Sequence, residues 1–285
     1  MMPDVQPAPP RPSVPPELYD ECYYRTACAG FAGWEEGAGA DPLYAGVLDL
    51  AGFRAGEVVV DLGTGRGELP AVAAARGAAR AIGIEYSADA VMLAQRTLAS
   101  AGGRAEVLHA DVRAAPLADG VADLVTLVDV VEHLAGADLD ATLREAARLL
   151  RPGGRVFVHT LPTRTYYAVT YRLLRAGRRS WPADPRNDWE RTVHVNEQSA
   201  RSLRRALRVA GFLDVDVRPG EWIYDEVLPG RLARRLVRLG ARHRLTRGLA
   251  AADLWAQARR GGSGATPPSR RTRGPARGRG RSTES

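Results

Sequence analysis

Lysine is absent from this chain: all 40 of its basic residues, among 285 in total, are arginine. Schiff-base chemistry and lysine general bases are thereby excluded, and the accompanying abundance of alanine makes genome composition a simpler cause than function. Cysteine is nearly as scarce. Cys22 and Cys28 are too few for a disulfide framework and lack the Cys/His spacing of a zinc site, which fits a reducing, cytoplasmic compartment. No apolar run is long enough to span a bilayer, and the Pro-rich start, Pro3 to Pro16, lacks the basic and apolar blocks of a secretory signal. Residues 1–16 are expected to form a disordered arm.

Charge is present but unevenly placed. Residues 1–160 carry 13 Arg against 22 Asp and Glu, residues 161–258 carry 19 against 10, and residues 259–285 carry eight against one, giving −9, +9 and +7. The overall +7 is therefore no global nucleic-acid signal. Residues 259–285, rich in Gly, Pro, Ser and Arg, have nothing large and apolar to anchor a core and are expected to be a disordered tail. The length suits one α/β domain over residues 17–258 with insertions.

Chemistry concentrates where the apolar Val58-Val59-Val60 runs into Asp61-Leu62-Gly63-Thr64-Gly65-Arg66-Gly67. A buried strand ending in a glycine-rich turn that opens a helix lets backbone approach a ligand closely, at the strand edge where open α/β sheets bind cofactors. The dinucleotide pattern G-x-G-x-x-G fails, because its third glycine falls on Glu68, a carboxylate where a pyrophosphate would sit. Further strands follow in order: Ala81–Glu85 ends in an acid, Ala105–His109 runs into Asp111 and Val112, and Ala122–Val128 runs into Asp129-Val130-Val131-Glu132-His133. A helix from Asp89 to Ala101 separates the first two of these.

This ordered set, over roughly residues 55–160, resembles the class I S-adenosylmethionine (SAM) methyltransferases. The resemblance implies a Rossmann-like, seven-stranded, mostly parallel sheet with helices on both faces and a partly helical substrate lid. It also implies SAM as cofactor, held by Asp61, Gly63, Thr64, Gly65 and Gly67 at the methionine end. Glu85 would accept the ribose hydroxyls with Tyr86 beside it, Asp111 and Val112 would meet adenine, and Asp129 would also bind the cofactor. His133 is the first choice of proton acceptor and His194 the second, both taken at near-neutral pKa, while His159 reads as a structural residue. The D-x-x-E-H cluster is also similar to the E-x-x-E-H of metal-dependent O-methyltransferases, which would make Asp129, Glu132 and His133 ligands of a divalent ion, with His194 as another.

The remainder is read as substrate-covering. Tyr19, Tyr23, Tyr24, Phe31 and Trp34 precede the first strand and either fold over the site or seal the sheet edge. A helical stretch, Asp41 to Leu50, follows them. The long segment Leu161 to Asn196 holds six further ring-bearing residues, and its length marks it as functional. A helix Glu197 to Ala210 is expected with Asn196 as N-cap, then a strand Phe212–Val217. Residues 228–248 interrupt the sheet before a last strand, Leu249–Ala258. Within 231–247 the leucines 232, 236 and 239 are expected to pack on the core beneath a solvated arginine face, which could otherwise lie on an anionic membrane. The leading expectation is methyl transfer to a hydroxyl or other nucleophile of a small, partly apolar molecule. RNA 2′-O-methylation and a SAM-binding scaffold without turnover are the alternatives, and nucleic acid is not the expected partner. The sequence leaves the oligomeric state open.

Overall fold

The computed structural model describes residues 10–261, apart from 27, 29, 38–41, 100, 162, 178–179, 221–230 and 244. In chain order the elements begin with α1 (Glu21–Thr26), α2 (Phe31–Glu35) and α3 (Pro42–Leu50). The alternating core follows: β1 (Val58–Leu62), α4 (Glu68–Ala75), β2 (Arg80–Glu85), α5 (Ala88–Leu98), β3 (Ala105–His109), β4 (Ala122–Val128), α6 (Gly136–Leu149) and β5 (Leu150–Thr160). Then come α7 (Arg172–Ala176), α8 (Asp188–Val193), α9 (Ala200–Val209), β6 (Phe212–Pro219), α10 (Arg231–Arg242), α11 (Arg247–Ala250) and β7 (Leu254–Arg260).

The seven strands form one sheet in the order β3-β2-β1-β4-β5-β7-β6, parallel except where β7 runs antiparallel to both neighbours. Val59, Val60, Ile82, Leu124 and Val158 are fully buried, as expected of strands covered on both faces by helices. One core layer packs α6 and α9 against one face, the other packs α3 and α4. The strand order reverses between β1 and β4, so the loops leaving these two strands diverge around a crevice. The site lies there.

Four boundaries differ from the sequence reading. The second clear helix of the C-terminal half is capped by Ser199, whose side chain accepts from the Ser202 amide, rather than by Asn196. Asn196 is a competent cap by type, but its backbone and side-chain nitrogens donate to the Glu132 and Leu134 carbonyls, 2.9 and 2.7 Å away. The last strand starts at Leu254, because Arg247–Ala250 coil into α11. That strand runs to Arg260, so the tail begins after it, and residues 262–285 lie outside the described part, as do residues 1–9. Residues 10–16 are not a loose arm: Val14 is buried with Tyr19 and Tyr24, and Ser13 donates twice to Asp138.

The leucines of α10 are the largest departure. Leu232, Leu236 and Leu239 are 67%, 56% and 57% exposed, and the side facing the protein is instead Val237, packed with Tyr171, Trp181 and Ala250. Among the described residues no helix is long and apolar enough to cross a membrane.

Candidate active site

β1 delivers the glycine turn into the crevice. Gly63 has φ +77°, and a Cβ there would sit 2.6 Å from the Val130 side chain on the loop after β4. Only glycine lets the two loops close on each other at this point. Gly65 and Thr64 face the crevice with it, whereas Gly67 caps α4 and packs against Ala94 of α5. Glu68, the first residue of α4, is buried in a 2.7 Å ion pair with Arg66. The helix start therefore carries a carboxylate where a phosphate cradle would need free amides.

At the end of β2 the Glu85 carboxylate accepts from the amides of Gly65, Tyr86 and Ser87 at 3.0, 2.8 and 2.9 Å. This ties the second strand to the turn of the first, and burial nonetheless raises the Glu85 pKa against those donors. Asp61 accepts from the Thr126 hydroxyl at 2.6 Å, and burial pushes its carboxyl up to about 6. Both acids line the cavity, as do Tyr86 and Val112.

Asp111 is placed as expected but engaged otherwise. Its oxygens face Arg113, which donates Nε at 2.9 Å and a guanidinium NH2 at 2.7 Å. Arg113 also reaches Asp138 and the Pro10 carbonyl, each at 2.7 Å. Asp138 in turn takes the Ser13 amide and hydroxyl at 2.9 and 2.6 Å, and the Tyr86 hydroxyl donates to the Val14 carbonyl at 3.1 Å. Residues 10–14 thus lie as a strap beside Tyr86, Asp111 and Arg113. The sequence shows no sign of it, since Asp138 is 25 residues from Arg113 and 125 from Ser13.

Beyond β4, Asp129 adopts a left-handed φ of 55°, unusual for a non-glycine residue. It lines the cavity, and its carboxylate lies 2.7 Å from His159 Nδ1, an ion pair without good hydrogen-bond alignment. Burial lowers the His159 pKa, but Asp129 on one side and Asp253 at 3.4 Å on the other outweigh it and push it up to about 10. His159 is therefore a buried imidazolium that holds Asp129 toward β5. Asp129 consequently stands outside the group that could hold a metal ion, which is Glu132, His133 and His194, with ligand atoms within 4.8 Å of one another.

That trio is electrically quiet. Burial pushes His133 down to about 3, reinforced by His194, and pushes His194 down to about 4 against the pull of Asp129. The near-neutral values expected from sequence do not hold, because burial of each ring disfavours its charged form. Burial and Asp129 push Glu132 up to about 8 while the Thr160 hydroxyl donates to it at 2.8 Å. His133 Nδ1 lies 2.9 Å from the Tyr19 hydroxyl, and its ring also hydrogen-bonds the Val193 backbone. His194 Nδ1 has no hydrogen-bond partner. A divalent ion would find donors of suitable chemistry here, but only after His133 released its contacts.

The aromatic question divides. Tyr19, Tyr23 and Tyr24 line the cavity, and Tyr23 meets Trp189 of α8 edge-on at 5.8 Å. Phe31 and Trp34 instead seal α5, where Trp34 donates to Thr97 at 2.8 Å. Of the ring-bearing residues in 161–196, Trp189 and His194 line the cavity, which has a volume of about 300 Å³.

Residues 59–154 match the profile of a methyltransferase domain family. The chain belongs to the class I SAM-dependent methyltransferases. It is 29% identical over 188 residues to a ubiquinone biosynthesis O-methyltransferase of Aromatoleum aromaticum, covering 65% of this chain and 78% of that one. Over 129 residues it is 31% identical to the demethylmenaquinone methyltransferase of Thermus thermophilus, covering 44% of this chain and 58% of that one. Among solved structures, Haemonchus contortus phosphoethanolamine N-methyltransferase 2 in complex with S-adenosyl-L-methionine superposes with a TM-score of 0.59 at 14% identity, over 85% of this chain and 60% of that one. At that identity the likeness establishes the fold alone. The methyltransferase family accounts for the glycine turn and the acid ending β2.

Proposed function

We propose that this methyltransferase binds SAM between the Gly63–Gly67 turn and Glu85 and methylates a hydroxyl of a small, partly apolar acceptor, with His194 as the proton acceptor. The observation that carries the proposal is a cavity whose lining includes Gly63, Gly65 and Glu85 together with Tyr19, Trp189 and His194. Its volume sits at the low end of the roughly 300–1,000 Å³ usual for small-molecule sites, so the acceptor inserts a compact head. A cytoplasmic setting belongs to the same proposal.

Bound SAM supplies an electrophilic methyl on a sulfonium, and displacement there needs alignment more than covalent help. In this assignment Glu85 accepts the ribose hydroxyls, and the turn and Asp61 fix the methionine end. The Tyr19, Tyr23 and Trp189 rings exclude water. His133 is a poor proton acceptor because its ring is already hydrogen-bonded to Tyr19 and Val193, so it positions rather than reacts. His194 keeps an unpartnered Nδ1 and is uncharged at neutral pH. So weak a base favours an acidic, phenol-like hydroxyl with a pKa of about 10 over an aliphatic alcohol. The relative named for ubiquinone biosynthesis supports an acceptor of that kind.

A second reading rests on the Glu132, His133 and His194 cluster, where a divalent ion would polarise the acceptor hydroxyl. Methyl transfer from labelled SAM to a panel of catechols and phenols, with and without exhaustive chelation, separates the two. The proposal expects phenolic acceptors to be methylated and turnover to survive chelation. Loss of turnover restored by magnesium would replace it with the second reading, and absence of transfer to every hydroxyl would remove both.

A further inference from the structure

α10 and α11 form a layer whose outer face no other described element covers. From residue 227 to 252 the sequence holds seven arginines and no acidic residue. α10 carries three leucines at positions 232, 236 and 239, one full helical stripe, and all three are more than half exposed. Leu245 and Leu249 just beyond are 86% and 46% exposed. At about 100° per residue the leucines share an arc of roughly 60°. Buried Val237 lies to one side of that arc, and Arg231, Arg235 and Arg242, all exposed, lie to the other.

We propose that α10 and α11 dock the protein on the surface of an anionic lipid bilayer, the leucine stripe entering the acyl boundary and the arginines reaching phosphate headgroups. The charge pattern selects this occupant over others. A two-fold contact between copies would set Arg231, Arg235 and Arg242 against their own counterparts, placing like charges together. A nucleic acid would satisfy the arginines and leave three leucines in water. An anionic bilayer takes both at once, since interfacial helices bind through buried apolar area together with basic side chains that reach the headgroups.

The layer is also wired to the site. Its buried side, Val237 and Ala250, packs on Tyr171 and Trp181 of the 161–196 segment, and the Thr170 hydroxyl donates to the Leu249 carbonyl. The same segment continues into Asn187, Trp189 and His194 at the cavity. A bilayer-dissolved acceptor with a compact head would thus be met by one continuous insertion running from lipid to base. This link to the acceptor rests on the proposed function; the docking surface does not.

Cosedimentation of the full chain with vesicles tests it, using phosphatidylglycerol mixed with phosphatidylcholine against phosphatidylcholine alone, without SAM or acceptor so that the outcome is independent of methyl transfer. The exposed triple variant Leu232→Ser/Leu236→Ser/Leu239→Ser leaves the arginines and the tail intact, and a second variant, Arg231→Gln/Arg235→Gln/Arg242→Gln, leaves the leucines. Thermal melting confirms that both remain folded. The expected result is binding confined to the anionic vesicles, weakened more than about tenfold by either triple substitution. Anionic binding equal in wild type and the leucine variant would overturn the proposal by assigning binding to charge elsewhere. It would be overturned equally by no vesicle binding accompanied by a dimer that the leucine variant dissociates, or by single-stranded RNA binding that only the arginine variant loses.

Discussion

Glu85 joins two strands through one carboxylate, since three backbone amides from the β1 turn and from its own loop converge on it. Glu85→Ala should weaken SAM binding by roughly tenfold to a hundredfold, the scale of losing hydrogen bonds to a charged group. Calorimetry with SAM measures this, and unchanged affinity would remove the ribose assignment. His194→Ala should lower kcat by about 10²–10⁴-fold with SAM affinity retained, the usual range for a general base, whereas Tyr19→Phe, which removes the hydroxyl beside the positioning histidine and keeps the ring, should cost much less. An equal loss in both would return the proton-acceptor role to His133. His159 gives a stability signature. Its folded pKa is raised above the unfolded value, so the stabilisation is fully present below about pH 6.5 and disappears as pH rises through about 10. Urea midpoints of wild type should fall across that window, and His159→Gln should lack that part of the decline.

Among the elements, the strap of residues 10–14 is held by Arg113 and Asp138 rather than by burial alone. Asp138→Asn should raise the dissociation rate of S-adenosylhomocysteine several-fold, measurable by stopped-flow fluorescence, while the melting temperature changes little. An unaltered off-rate would make the strap a passive cover. The same elements show what sequence conveys. β1 to β4 were legible because each ends in a glycine or an acid after an apolar run, and the order of those ends carries the cofactor side of the site. The strap was not, because its contacts join residues over a hundred apart and proline-rich composition reads as disorder. The α9 cap was misassigned because Asn196 and Ser199 are both good caps by type, and only the packing of the β4 loop decides between them. In α10 the helical period places three leucines on one stripe, yet periodicity cannot say whether protein covers that stripe. Here it does not. The histidines are located by sequence but not their basicity, which depends on burial of each ring and on the charged neighbours packed around it.

At the scale of the whole molecule, an acidic cofactor half and a basic acceptor half share one sheet. The acidic half carries the carboxylates at the strand ends, and the basic half holds the α10 and α11 face. The proposed function requires that the β1 turn and the acid ending β2 enclose a single adenosyl group. Titration calorimetry of S-adenosylhomocysteine into the full chain tests it most directly, with NADH and ATP added as competitors and Gly63→Val as the control that fills the turn. One site per chain is expected, unaffected by either competitor and abolished in Gly63→Val, where the new side chain would collide with Val130. Displacement by NADH or ATP, or undiminished binding in the variant, would contradict it.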